Sequence, residues 1–183
     1  LELLIRKTEE FVQKELEKDT SGHDWFHIDR VRKAANYIRQ KEGIGDAFII
    51  EMASLLHDIP DEKLNDTMEK GEKKLLDFLW SIPITEYQRK HILEIIQTIS
   101  FKGGNEAKLK SMEAKIVRDA DRLDAIGAMG IARTFAYGGK IDSPIYHPDV
   151  LVREQMSLEE YRNGRSSSIH HFYEKLLLLK DRM

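Results

Sequence analysis

The chain has 183 residues, with 29 Lys and Arg against 32 Asp and Glu, so its net charge of −3 sets up no global field toward nucleic acid or a membrane surface. It has no cysteine, which excludes disulfides, thiolate zinc sites and thiol nucleophiles and leaves nitrogen and oxygen as donors to any metal. The 41% hydrophobic and 33% charged fractions describe an ordinary globule, expected to be one domain over 1–183. No apolar run approaches the ~20 residues of a membrane span. Residues 1–7 lack the basic-then-apolar order of a secretion signal, so a cytoplasmic location is expected.

Apolar residues at the helical period predict a first helix over 1–19, with Leu4, Ile5, Phe11, Val12 and Leu16 on one side. Thr20-Ser21-Gly22 breaks it. Asp24 is placed to cap a second helix over about 25–41, whose inward stripe of Val31, Ala34, Ala35 and Ile38 also carries His27. After Gly43-Ile44-Gly45, a third helix puts Ile49, Ile50, Ala53, Leu56 and His57 on one arc. Pro60 disfavours a helical Ile59, so this helix should end at about Asp58. A His–Asp pair at a helix end can turn both side chains toward one point despite their ~100° offset in a regular helix.

Helices are expected over 67–80 and 85–99, separated by the turn Ser81-Ile82-Pro83 and followed by a loop at 100–105. A helix over about 108–126 has Ile116, Val117, Ala120 and Leu123 as its apolar face. Asp119 projects to its polar side, Asp121 lies at the edge of the apolar arc and Asp124 lies inside it. The wheel does not choose between the last two. Small residues at 127–132 are expected to continue this helix, and Tyr137-Gly138-Gly139 opens an irregular segment to about Pro148, a candidate lid. A charged helix is predicted over 149–162 and a last one over 169–182. There Leu176 to Leu179 face every direction and call for cover from a subunit contact, as in a homodimer, or from a further helix. With no period-2 alternation, the fold class is all-α.

A lone histidine on an apolar stripe is commonly core, but an aspartate is almost never buried unpaired. Inward His27, His57 and Asp58, with an inward acid from the 108–126 helix, would make two imidazoles and two carboxylates, a site for a divalent first-row metal or magnesium. Water held by such an ion is a competent nucleophile near neutrality, and the ion polarises a phosphoryl oxygen.

Three stretches resemble the signatures of HD-domain phosphohydrolases, in the family's order. They are Gly22-His23-Asp24-Trp25-Phe26-His27-Ile28-Asp29-Arg30-Val31, Leu55-Leu56-His57-Asp58, and Asp119-Ala120-Asp121-Arg122-Leu123-Asp124-Ala125-Ile126-Gly127. The likeness runs from about residue 20 to the end and is strongest to small stand-alone bacterial HD hydrolases, some of them nucleotide pyrophosphohydrolases. It implies a compact helical HD bundle, with a metal-binding core at about 20–135 and a C-terminal loop and helices at 136–183. It implies a divalent ion (Mn, Mg, Fe, Co, Ni or Zn) on His27, His57, Asp58 and Asp121, which settles the choice against Asp124. The implied reaction is attack of metal-bound water on a phosphoester or pyrophosphate bond of a small phosphorylated substrate, a nucleotide, with no nucleic-acid or membrane partner.

Within this resemblance, Asp61 takes the place of an acid three residues after the HD aspartate and is expected to orient or deprotonate the attacking water. Arg30, one turn after His27, is expected either to neutralise phosphate or to pair with Asp124. Lys102, in its Gly-flanked loop, is expected to reach a phosphate. Weaker candidates are His23 as a cleft residue, Arg122, which the wheel turns outward, His91 for a second metal, and His171 and Lys175 bordering the cleft. The chain lacks the GYP-type signature of cyclic-di-GMP phosphodiesterases, and it stops at Met183 where similar proteins usually continue into another helix. Two other readings stay open: a regulatory module that binds metal and nucleotide without turnover, and a di-iron oxygenase of the HD type.

Overall fold

In the computed structural model the backbone is described for residues 1–183, and the side chains for all of these except Lys102, Leu158, Arg162 and Asn163. Polar side chains start most of the helices by accepting the amide three residues on, which satisfies donors that a helix start leaves open. Asp24 does this for α2 (Trp25–Glu42), Asp46 for α3 (Ala47–Leu56), Thr67 for α4 (Met68–Ser81) and Thr85 for α5 (Glu86–Thr98). Ser111 does it for α6 (Met112–Asp124). Only α1 (Glu2–Leu16) and α7 (Gly127–Lys140), among the longer helices, start without such a cap. Gly43 ends α2 in the left-handed region (φ 68°), with its N–H on the Arg39 carbonyl.

The centre of the molecule is α3. Phe48, Ile49, Ile50, Met52, Ala53, Ser54, Leu55 and Leu56 are all buried, so this helix is covered on every side. It packs against α1, α2, α5 and α6, and α2 lies along α6. Val12, Ile28, Val31, Leu79, Ile92, Ile95, Val117 and Ala120 close one continuous core around it. Each fully buried aliphatic side chain of this kind contributes roughly 1.5–3 kcal/mol. The three chain segments that carry the HD-like motifs are therefore fixed by the best-buried part of the fold.

Between α6 and the C-terminal segment, which is helical over 168–182 as expected, the chain departs from the sequence expectations. The run of small residues does not continue α6. Ile126 is extended and Gly127 takes φ +69°, so α7 starts afresh and stays helical to Lys140, through residues expected to be irregular. The charged helix expected over 149–162 shrinks to α8 (Leu158–Asn163), because Arg153 is held as a strap. Its amide and guanidinium both bond the buried Glu174 carboxylate. The C-terminal segment runs from α9 (Ser168–His171) through a π-helical turn, Phe172–Leu176, into α10 (Leu177–Leu179). Leu176 and Leu179 pack with Phe101 in a second, smaller cluster, whereas Leu177 stays 60% exposed. Among the described residues there is no strand, and no helix is long and apolar enough to cross a membrane.

Candidate metal centre

His27 comes from the first turn of α2, His57 and Asp58 from the end of α3, and Asp121 from α6. Their donor atoms converge. His27 Nε2 lies 3.2 Å from Asp58 Oδ2 and 3.6 Å from Asp121 Oδ1. His57 Nε2 lies 3.3 Å from Asp58 Oδ1 and 3.7 Å from the same Asp121 oxygen. Atoms of His27, His57 and Asp121 fall within 4.8 Å of one another, a spacing that could hold a metal ion. Donors about 2.1 Å from one ion sit roughly 3.0–3.4 Å apart at its tetrahedral or octahedral edges. The two Asp58 separations fall in that range, and the two Asp121 separations are a few tenths of an ångström longer.

Hydrogen bonds on the far side of each ring fix the tautomers. His27 Nδ1 donates to Asp124 Oδ2 at 2.7 Å, and His57 Nδ1 donates to the Ser54 carbonyl at 2.8 Å. In the neutral rings both Nε2 atoms therefore carry lone pairs toward the carboxylates, the arrangement by which metal-binding histidines are oriented. His27 Nε2, His57 Nε2 and Asp58 Oδ2 are buried without a hydrogen-bond partner among the described residues. Lone pairs facing lone pairs at this range repel unless a cation lies between them. The donors thus fit a divalent ion.

The same demand shows in the protonation states. Burial works against a charged His57, yet the Asp58 and Asp121 carboxylates lift its pKa to about 9. Burial would raise Asp58 and Asp121, but the two imidazoles hold both below the usual carboxylate range. A proton is the stand-in that a metal would displace.

Asp124 takes the opposite side of His27 from Asp121. Its carboxylate also accepts Arg30 Nε at 2.5 Å and Arg30 Nη2 at 3.0 Å. Arg30 therefore adopts the supporting contact, the second of its two expected roles, rather than pointing into the cleft. Burial would raise the Asp124 pKa, but His27 and Arg30 hold it low. Asp119 pairs with Arg118 at 3.5 Å, away from the cluster. Asp61 lies in the turn after Asp58, where its Oδ1 accepts the Lys63 amide at 2.8 Å. The side chain of Lys102 lies outside the described residues. Arg122 is buried rather than outward, because the C-terminal segment covers that face. It pairs with Glu106 and donates to the Arg182 carbonyl. His91 joins Glu113 at 3.7 Å and not the cluster.

A cleft of about 610 Å³ adjoins the centre, lined by His23, Lys63, Arg133, Tyr137, His171 and Lys175 among others. His23, on the cleft wall, has its ring 6.2 Å from that of His27. Lys63 Nζ sits 5.3 Å over the Tyr137 ring and 3.4 Å from His23 Nε2. Burial opposes its charge, but the neighbouring Asp61 carboxylate pushes the Lys63 pKa up. His23 and His171 are held neutral, both near pKa 3, first by burial and then by nearby cations that include Lys63. Sequence reasoning missed Lys63 and Arg133. The available signals were a lysine two residues after Asp61 and an arginine in the otherwise uncharged 127–139 stretch.

The sequence profile of the HD domain family matches residues 25–126, a span that contains all four converging side chains. YpgQ of Bacillus subtilis is 39% identical over 175 residues, 94% of this chain and 77% of that protein. The crystal structure of YpgQ in complex with ADP aligns at a TM-score of 0.72 and 36% identity, covering 98% of this chain and 82% of that one. A Lactobacillus plantarum protein aligns at 0.91 and 35% identity over 100% of this chain and 85% of its own. An HD-superfamily hydrolase of Bacillus thuringiensis is 49% identical at a TM-score of 0.67, covering 98% and 81%. With its profile match, its relatives and its convergent histidines and aspartates in agreement, this chain belongs to the HD domain family.

Proposed function

We propose that the protein is a metal-dependent phosphohydrolase that cleaves a phosphoester or pyrophosphate bond of a nucleotide. His27, His57, Asp58 and Asp121 would hold one divalent cation. The observation that carries this reading is the convergence of His27, His57, Asp58 and Asp121 from three parts of the chain, with the buried His27 Nε2, His57 Nε2 and Asp58 Oδ2 left without a hydrogen-bond partner among the described residues. A divalent cation bound there polarises a phosphoryl oxygen and makes water a stronger acid. Asp61, one turn beyond Asp58, is the acid we assign to orienting or deprotonating the attacking water, with its place fixed by the Lys63 amide. Lys63 and Lys175 line the cleft and would neutralise phosphate charge. The neutral His23 would let an anionic substrate approach without itself taking a proton at neutral pH. YpgQ, the relative with bound ADP, supports a nucleotide as the occupant of this cleft.

A screen of nucleoside mono-, di- and triphosphates with Mn²⁺, Mg²⁺, Co²⁺ and Ni²⁺ tests the reading, with released phosphate and pyrophosphate measured separately. Metal-dependent release from at least one nucleotide is expected. Nucleotide-induced thermal stabilisation with no release across the panel would replace it with a binding module.

A further inference from the structure

Arg133 belongs to none of the motifs, yet it touches three parts of the centre. It projects from α7 into the cleft wall. Its Nη1 donates to Asp124 Oδ2 at 3.1 Å, the same oxygen that accepts His27 Nδ1. Its Nε donates to the Gly22 carbonyl at 2.6 Å, two residues before the Asp24 that caps the helix carrying His27. Gly22 makes room for this contact. It adopts φ +89°, and a Cβ there would lie 2.8 Å from Arg133 Cγ. The guanidinium thus joins the 19–24 loop, the carboxylate behind His27 and the cleft in one planar fork, a geometry that the single point charge of lysine does not reproduce.

We propose that Arg133 is a positioning residue for the metal centre, holding Asp124 against His27 Nδ1 from the cleft side. It thereby keeps the Nε2 lone pair aimed at the cation. The inference rests on the four-ligand reading above. It runs against simple electrostatics, which makes it easy to refute. A guanidinium near a cation site repels the cation, so removing it should tighten metal binding if charge is all that matters. Positioning predicts the reverse, because partners that orient metal-binding histidines commonly sustain about 10–100-fold of affinity.

The test is calorimetric titration of Mn²⁺ into the full chain without nucleotide, for wild type, R133A, R133K and G22A. About tenfold weaker binding is expected for R133A and for G22A, which displaces the fork, with R133K between R133A and wild type. Long-range ¹H–¹⁵N spectra of the histidine rings add a readout that general loosening would not give. The His27 signal should move from the Nδ1–H tautomer toward a mixture in R133A while His57, anchored on Ser54, stays put. Unchanged or tighter Mn²⁺ binding in R133A with an unmoved His27 signal would overturn the proposal. If R133A does not fold, as judged by thermal unfolding, R133K carries the same test: wild-type affinity there refutes it equally. Absence of Mn²⁺ binding in the wild type would instead sink the four-ligand reading, leaving a distinguishable result.

Discussion

The two sides of the cleft are built on different physics. The side with the four converging donors stands on α1 to α6, where α3 is sheathed in aliphatic side chains and the core is continuous. The opposite wall, from α7 onward, rests on a cluster of three buried apolar residues, Phe101, Leu176 and Leu179, and on a set of polar ties. Arg153 straps to Glu174, Lys140 to Asp19, Arg133 to Gly22 and Arg122 to the Arg182 carbonyl. Burial holds His27, His57 and Asp58 in place beside the core, where a small displacement would spoil their convergence. The opposite wall is held largely by polar ties, so it is expected to open more readily than the core.

The sharpest break of the comparison lies inside one helix. Asp121→Ala should abolish metal retention and turnover together, read by metal analysis of the purified protein and by phosphate release, whereas Asp119→Ala should retain both. Equal loss in the two would show that convergence on α6 does not decide metal binding. The next largest effect is on global stability. Leu55→Ala, in the sheathed helix, should cost about 2–5 kcal/mol in chemical denaturation, while Leu177→Ala, on the exposed side of the C-terminal segment, should stay within about 0.5 kcal/mol. Comparable costs would erase the distinction between the two regions.

A smaller, local effect is expected at the strap. Glu174 is buried and accepts Arg153 and Ser166. Glu174→Gln should speed amide exchange in 168–179 by about 10–100-fold, from charged hydrogen bonds worth roughly 1.5–3 kcal/mol, and leave α3 protected. Faster exchange in α3 as well would mean that the wall and the core open as one unit. The mildest effect is in pH dependence. His171 is held near pKa 3 by burial and by the cations Lys175 and Lys63, below its unfolded value of 6.5. Between those values the unfolded chain binds a proton that the folded chain refuses, so stability is full above pH 6.5 and falls as the pH drops toward 3. His171→Gln should flatten that part of the stability curve; a curve parallel to the wild type would mean that His171 does not carry it.

Much of the centre was legible before any fold. Period and capping put His27 inward on a helix begun by Asp24, and Pro60 stopped the next helix beside His57 and Asp58. The helical wheel stalled at Asp121 and Asp124, and the reason is instructive: both approach His27, one at each ring nitrogen. Where residues carry no apolar period the reading failed. Gly127 to Ala132 looked like more of α6, but a single left-handed glycine restarts the helix and sends α7 across the cleft. Arg122 looked outward because a wheel cannot know that the chain terminus returns to cover that face.

By itself the sequence determined an all-α chain, the helices that carry inward histidines and aspartates, and the absence of any thiol chemistry, because helical period and residue type are local properties. Only the tertiary structure decided which nitrogen of each imidazole faces the cluster, which acid stands behind His27, and that Lys63 and Arg133 line the neighbouring cleft. Those are distances between atoms far apart in the chain, set by how α2, α3, α6 and α7 pack, and no pattern along one helix encodes them.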